Sequence, residues 1–321
     1  MRRRGLLGLS AVAALGIAAC SGGGGQLART HSDSDSVTTT VANPATTTTS
    51  TPTVEALSQT APTTPPTTPA STEPIPIEEV GGPKTAAAAA RTIVRVERGL
   101  RGANRDAARL RKLGRAQQLA YRAIASHPNW AVTVLEAVPD DLDAFVQATI
   151  DAGSSLNGLT GSVAAPVGFP DWQVLAPESP ETLRAYYAEG EQMYGIPWQY
   201  LAAIHFSETR MGRIHGNSTA GAQGPMQFIQ STWDAFGVGD INSNRDSIIA
   251  AARYLESNNA ATDIDSALFR YNNDERYVAA IKAYASVMAA DPVAYDGYYH
   301  WQVFYASADG TFLLPEGWSF A

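Results

Sequence analysis

Cysteine is nearly absent: Cys20 is the one such residue among 321, so no disulfide can form within the chain. Histidine is sparse too, at 5, and His127, His205, His215 and His300 are scattered, without the spacing of a zinc-ligand pair. No apolar run has the length and flanks of an ordinary membrane-spanning helix. Aromatic and branched aliphatic side chains almost vanish from residues 26–82, and proline is missing from residues 84–122. A formal charge of −8, with acidity through most of the C-terminal part, argues against nucleic acid as the main partner.

What stands at the N-terminus gives the lone cysteine a context. Arg2, Arg3 and Arg4 precede a short apolar stretch of small residues and leucines that ends at Ala19, the layout of a secretory signal. Ile17-Ala18-Ala19-Cys20 resembles the lipobox of bacterial lipoproteins. That resemblance implies a signal peptide over residues 1–20, a lipidated Cys20 as mature N-terminus, and a protein held at the outer face of the membrane by a lipid anchor. Residues 21–82, rich in Thr, Pro, Ser and Ala, bury too little apolar surface to offset chain entropy and read as a disordered tether. Residues 83–155 turn Ala- and Arg-rich and favour helices. Their excess of positive charge suits either a solvated helix face or an anionic envelope surface.

The third segment, residues 170–321, carries the strongest element signals. Ser179-Pro180 is a helix start, cap then first residue, and that helix reaches about Tyr194. Pro197, Leu201, Ile204, Glu208 and Met211 recur at helical spacing, so a second helix is expected from Pro197 to Gly212 with this stripe facing inward. Further helices are expected over 225–236, 247–258, 265–270 and 275–290, with Asp246 capping or charging the one that starts near Ser247. Asp309-Gly310 between residues 301–307 and 311–314 signals a hairpin. The fold expected is mainly α.

Glu208 is the outlier in its apolar stripe. Burial would raise its pKa and keep a proton available near neutral pH, which a general acid requires. Two more groups can converge on it. Gly221 and Gly224 lie within a short block, residues 220–228, that ends in Met226-Gln227-Phe228, where glycine allows close backbone approach. Arg270-Tyr271-Asn272 follows. Gln227 and Asn272 offer donors and acceptors suited to sugar hydroxyls and N-acetyl groups, and Tyr271 an aromatic face with a polar tip. The same residues also admit plain roles: Gln227 bonding turn backbone, Asn272 as a helix N-cap, Tyr271 as core.

Taken in order, the Glu-Thr-Arg-Met-Gly, Gly-Pro-Met-Gln-Phe and Tyr-Asn blocks resemble the lytic transglycosylases of bacterial cell-wall metabolism, over about residues 182–288, and most nearly their membrane-bound type B branch. The resemblance implies a lysozyme-like helical catalytic domain, here with N-terminal helices and a small C-terminal β-hairpin. It implies Glu208 as the single catalytic acid and base, substrate contacts at Ser218, Gln227, Tyr271 and Asn272, peptidoglycan glycan strands as substrate, no cofactor, and cell-wall synthesis or division proteins as partners. Some members carry a calcium loop after the Gln block. Residues 236–246 lack its Asp/Asn alternation and closing Glu, so no metal is expected. A hydrolysing muramidase would instead want a second carboxylate, for which Asp234, Asp240 and Asp246 are the candidates, and a non-catalytic wall-binding scaffold would keep the cleft without turnover.

Overall fold

The computed structural model describes residues 72–160 and 164–320; Cys20, the expected signal peptide and the tether up to residue 71 lie outside them. Residues 72–82, expected within the tether, instead contain strand β1 (Ile75–Pro76) and one helical turn, α1 (Ile77–Val80). Two half-buried isoleucines account for this, in a segment whose average composition is otherwise polar.

Local chemistry sets the starts of the helices that follow. Thr85 accepts a hydrogen bond from the Ala88 N–H and opens α2 (Ala86–Leu100); Asp106 does the same from Arg109 for α3 (Ala107–Ser126). A short α4 (Trp130–Ala137) leads to α5 (Asp140–Thr160), whose first turn carries Asp140, Asp141 and Asp143, the sign its N-terminus prefers. Strand β2 (Gln173–Val174) precedes α6 (Pro180–Tyr194), capped by Ser179 as expected and closed by Gly195 in the left-handed conformation. Next come α7 (Trp198–Thr209), β3 (Ile214–His215), α8 (Gln230–Phe236), α9 (Asn244–Ser257), α10 (Ile264–Tyr271), α11 (Glu275–Ala290) and α12 (Ala294–Tyr299). The hairpin β4 (Val303–Ser307) and β5 (Gly310–Leu314) ends the fold, with β1 added antiparallel to β5 and β2 paired with β3.

The expected division between residues 83–155 and 170–321 is not a division of the core. One apolar cluster runs from Ala89 and Ile93 through Val146 and Leu156 to Phe206, Tyr284 and Trp301. Polar ties cross the same seam. Buried Glu97 accepts from Gln117, Tyr121 and Arg101, while Gln117 in turn accepts from the Trp301 indole at 2.9 Å. Thr149 of α5 shares a 2.7 Å hydrogen bond with Tyr298 of α12. Part of the basic charge is paired as well: Arg101 with Asp291 and Arg105 with Asp296 across the seam, and Arg98 with Asp141 at the surface.

Three local expectations change. Helix α7 was expected to bury one stripe; every residue from Leu201 to Thr209 is buried, because α6, α9 and α11 all pack against it. Residues 225–229 are a turn and a bridge rather than the start of α8, since Gln227 sits at φ 52°. Helix α9 starts at Asn244 rather than near Ser247, with Ser243 as cap, so of the two roles expected for Asp246 it takes the second and charges the first turn.

Candidate active site

Glu208 sits near the C-terminal end of the enclosed helix α7, 2% exposed. Its Oε1 accepts a 2.8 Å hydrogen bond from the hydroxyl of Tyr277, in the first turn of α11. Burial pushes its carboxyl well above the ordinary carboxylate range, and the Tyr277 hydrogen bond, which favours the charged form, opposes that rise. Burial thus favours the protonated carboxyl, and the Tyr277 hydrogen bond favours its charged form.

The Glu-Thr-Arg-Met-Gly block explains how α7 can end there. Arg210, Met211 and Gly212 all have left-handed backbone, at φ 56°, 62° and 79°, and the Met211 N–H closes the helix onto the His205 carbonyl at 3.2 Å. Left-handed backbone costs about 1–2 kcal/mol for each residue with a Cβ, so something must hold it. Thr209 does so on both sides: its hydroxyl donates to the Pro225 carbonyl at 2.6 Å and accepts from the Gly212 N–H at 3.1 Å. One threonine thus staples the end of the acid's helix to the Gly-Pro-Met-Gln-Phe block.

That block is a tight turn closed by a two-way bridge between Gln223 and Phe228, both bonds 2.9 Å. Gly224, at φ 71°, is required because a Cβ there would run into the Ile241 carbonyl. Its close approach is to the protein's own backbone, whereas Gly221, at φ 79°, faces open space. The Gln227 amide donates to the Gly224 carbonyl at 2.9 Å, the local role that the sequence left open, while its Oε1 takes no hydrogen bond among the described residues.

Tyr271 closes the ring. It is 3% exposed, and its hydroxyl donates to the Met226 carbonyl at 2.7 Å. Its ring lies parallel to Tyr277, 3° between planes with centroids 6.4 Å apart. It is a buried wall member rather than an open sugar platform. Asn272 is the C-cap of α10, not an N-cap; Asp274 caps α11. Ser218 accepts from the Ala220 and Ala222 N–H groups at 3.3 and 3.0 Å, folding residues 218–222 into a loop that runs directly into the Gln223–Phe228 bridge. Glu208 is thus linked through Tyr277 to Tyr271, and Tyr271 to the Met226 carbonyl next to Gln227; Asn272 follows Tyr271 in the chain, and the Ser218 loop runs into the Gln227 turn.

Tyr277 and Thr209 were missed as site residues. Thr209 lay inside the recognised block. Tyr277 had one signal, its place on the α11 face shared with Ile281 and Tyr284. The candidate second carboxylates are committed elsewhere. Asp234 accepts from Gln230, Asp240 from the Asn242 N–H, and Asp246 from the Asp240 N–H. Among the described residues Glu97 is the other buried carboxylate, and it belongs to the α2–α3 network. No group of three or more His, Cys, Asp or Glu suited to a metal occurs among them.

Residues 185–290 match the family model of the transglycosylase SLT domain. A span of 79 residues, 25% of the chain, is 37% identical to 17% of a membrane-bound lytic murein transglycosylase F from Thiobacillus denitrificans. Another of 76 residues, 24% of the chain, is 36% identical to 16% of a protein of the same name from Methylobacillus flagellatus. The chain thus spans about a sixth of the length of the curated relatives it matches, and these carry the name F where the sequence blocks pointed to type B. No solved structure matches it.

Proposed function

We propose that this chain is a lytic transglycosylase that cleaves the bond between N-acetylmuramic acid and N-acetylglucosamine in peptidoglycan and leaves 1,6-anhydro ends. The observation that carries this reading is a single buried carboxyl, Glu208, hydrogen bonded by Tyr277 in the segment that matches the SLT domain. Protonated Glu208 donates to the glycosidic oxygen as the bond to C1 breaks. The oxocarbenium-like centre is stabilised by the substrate's own N-acetyl group, so no second carboxylate is needed. Glu208, now ionised and held by Tyr277, removes the proton from the C6 hydroxyl, whose oxygen closes on C1. The acid is regenerated without consuming water. Gln227 and Asn272 serve as amide contacts to the glycan, Ser218 as a loop contact, and Tyr271 holds the wall behind them.

Mass spectrometry of digested peptidoglycan tests the reading. Anhydro ends are expected with the native chain, and none with Glu208→Gln, which should still bind glycan. Reducing ends would mean a muramidase, and intact strands a scaffold. The names of the relatives also support attachment to the cell envelope. We place that attachment at Cys20, with the chain at the outer face of the membrane; incorporation of a fatty-acid analogue that is lost in Cys20→Ala is the outcome expected.

A further inference from the structure

A cavity of about 160 Å³ opens between α3, the end of α5, α11 and the final hairpin, and Glu208 does not line it. Arg122 and Arg210 do, together with Tyr284, Trp301 and Phe304. The Arg122 guanidinium lies 4.3 Å over the Phe304 ring, and that of Arg210 4.4 Å over Phe206. Arg210 is 3% exposed and donates once, to the Phe206 carbonyl at 2.6 Å. The Nε atoms of both arginines are buried without a partner. No carboxylate lines the cavity, and neither arginine has an ion pair among the described residues, although neighbouring Arg98, Arg101, Arg105 and Arg213 all do.

A buried guanidinium, that of Arg210, beside the half-buried one of Arg122, with no counter-ion for either, is costly. Burial first, and then the charge of Arg210, lowers Arg122 to about 10; burial lowers Arg210 to about 10 as well. Both remain charged at neutral pH. Planar forks stacked on aromatic rings suit the oxygens of a carboxylate or phosphate, and the indole and phenyl walls suit a short apolar body. The volume is about five times that of one water in the liquid, near 30 Å³.

We propose that this cavity is an anion-binding subsite, distinct from the Glu208 site, that takes a small oxyanion carried on a short apolar body. Tyr284 lies two turns of α11 beyond Tyr277, about 10 Å, so the subsite borders the catalytic wall without sharing its acid. Calorimetric and melting titrations of the purified chain, at ionic strength fixed with chloride, test it using inorganic phosphate in one arm and acetyl-D-alanyl-D-alanine in the other. Saturable binding and a rise in Tm are expected with at least one probe. Phosphate alone would assign a phosphate ligand, and the peptide alone a carboxylate terminus. Arg122→Met should weaken binding at least tenfold yet melt no lower than the native chain in chloride, because it removes an uncompensated charge. Glu208→Gln should bind unchanged. Should Arg122→Met fail to fold, Arg122→Lys keeps the charge without the fork and should still bind severalfold more weakly. Absence of saturation with both probes, or unchanged affinity in the Arg122 variants, overturns the proposal.

Discussion

A proton on Glu208 has a thermodynamic cost that can be read apart from catalysis. Below the ordinary value of 4.5 the folded and unfolded chains both hold it. Above that pH the unfolded chain releases it while the buried carboxyl keeps it, so stability falls as pH rises until the folded pKa is passed. Glu208→Gln removes this dependence. Its stability relative to the native chain should climb from pH 4.5 by about 1.4 kcal/mol per pH unit, as denaturant titrations at several pH values would record. Its rate should drop on the order of a thousandfold. Tyr277→Phe acts the opposite way on the proton: without the hydrogen bond, Glu208 rises further, so the alkaline limb of kcat/KM should move to higher pH. The rate should fall about tenfold, the equivalent of one hydrogen bond of about 1.4 kcal/mol. The sequence showed Glu208 because a carboxylate among Leu201, Ile204 and Met211 breaks a local pattern. It could not show Tyr277, which is 69 residues away and whose partner only the packing of α11 on α7 selects.

Elements with chemical start and stop signals were legible. Helix α6 follows its Ser-Pro start and Gly end, and α11 spans the residues its apolar stripe marked. The turn at residues 223–228 was not, because helical propensity there yields to tertiary anchoring: Thr209 holds Pro225, Tyr271 holds Met226, and Gly224 abuts Ile241. A pair of substitutions separates backbone from side chain in this turn. Gly224→Ala meets both the left-handed conformation and the Ile241 carbonyl, and should destabilise by about 3 kcal/mol or more. Gln227→Gly removes a Cβ from a left-handed position at φ 52°, so stability should stay within about 1 kcal/mol of native while KM for glycan strands rises. Chemical denaturation and steady-state kinetics on the two variants give both readouts. If Gln227→Gly instead left KM unchanged, its side chain would belong to the turn alone.

At the scale of the molecule, composition suggested an appended helical region, and the structure makes it part of the core. Helix α5 covers α11, and Gln117 holds the Trp301 indole; both partners lie more than a hundred residues downstream, beyond the reach of local patterns. A chain beginning at residue 170 should therefore lose cooperative melting, whereas one beginning at residue 72 should melt as a single transition, which near-ultraviolet circular dichroism would distinguish. The short strand β1 adds a mechanical consequence. It enters the described fold at the edge of the hairpin sheet, paired to β5 through Ile75 and Pro76 alone. Tension applied to the chain ahead of it would peel that pairing like a zipper before it loaded α2 or anything packed on α7. The edge strand is thus a mechanical fuse: a pull on the N-terminal segment would be absorbed in a few residues of slack while the geometry around Glu208 stays at rest.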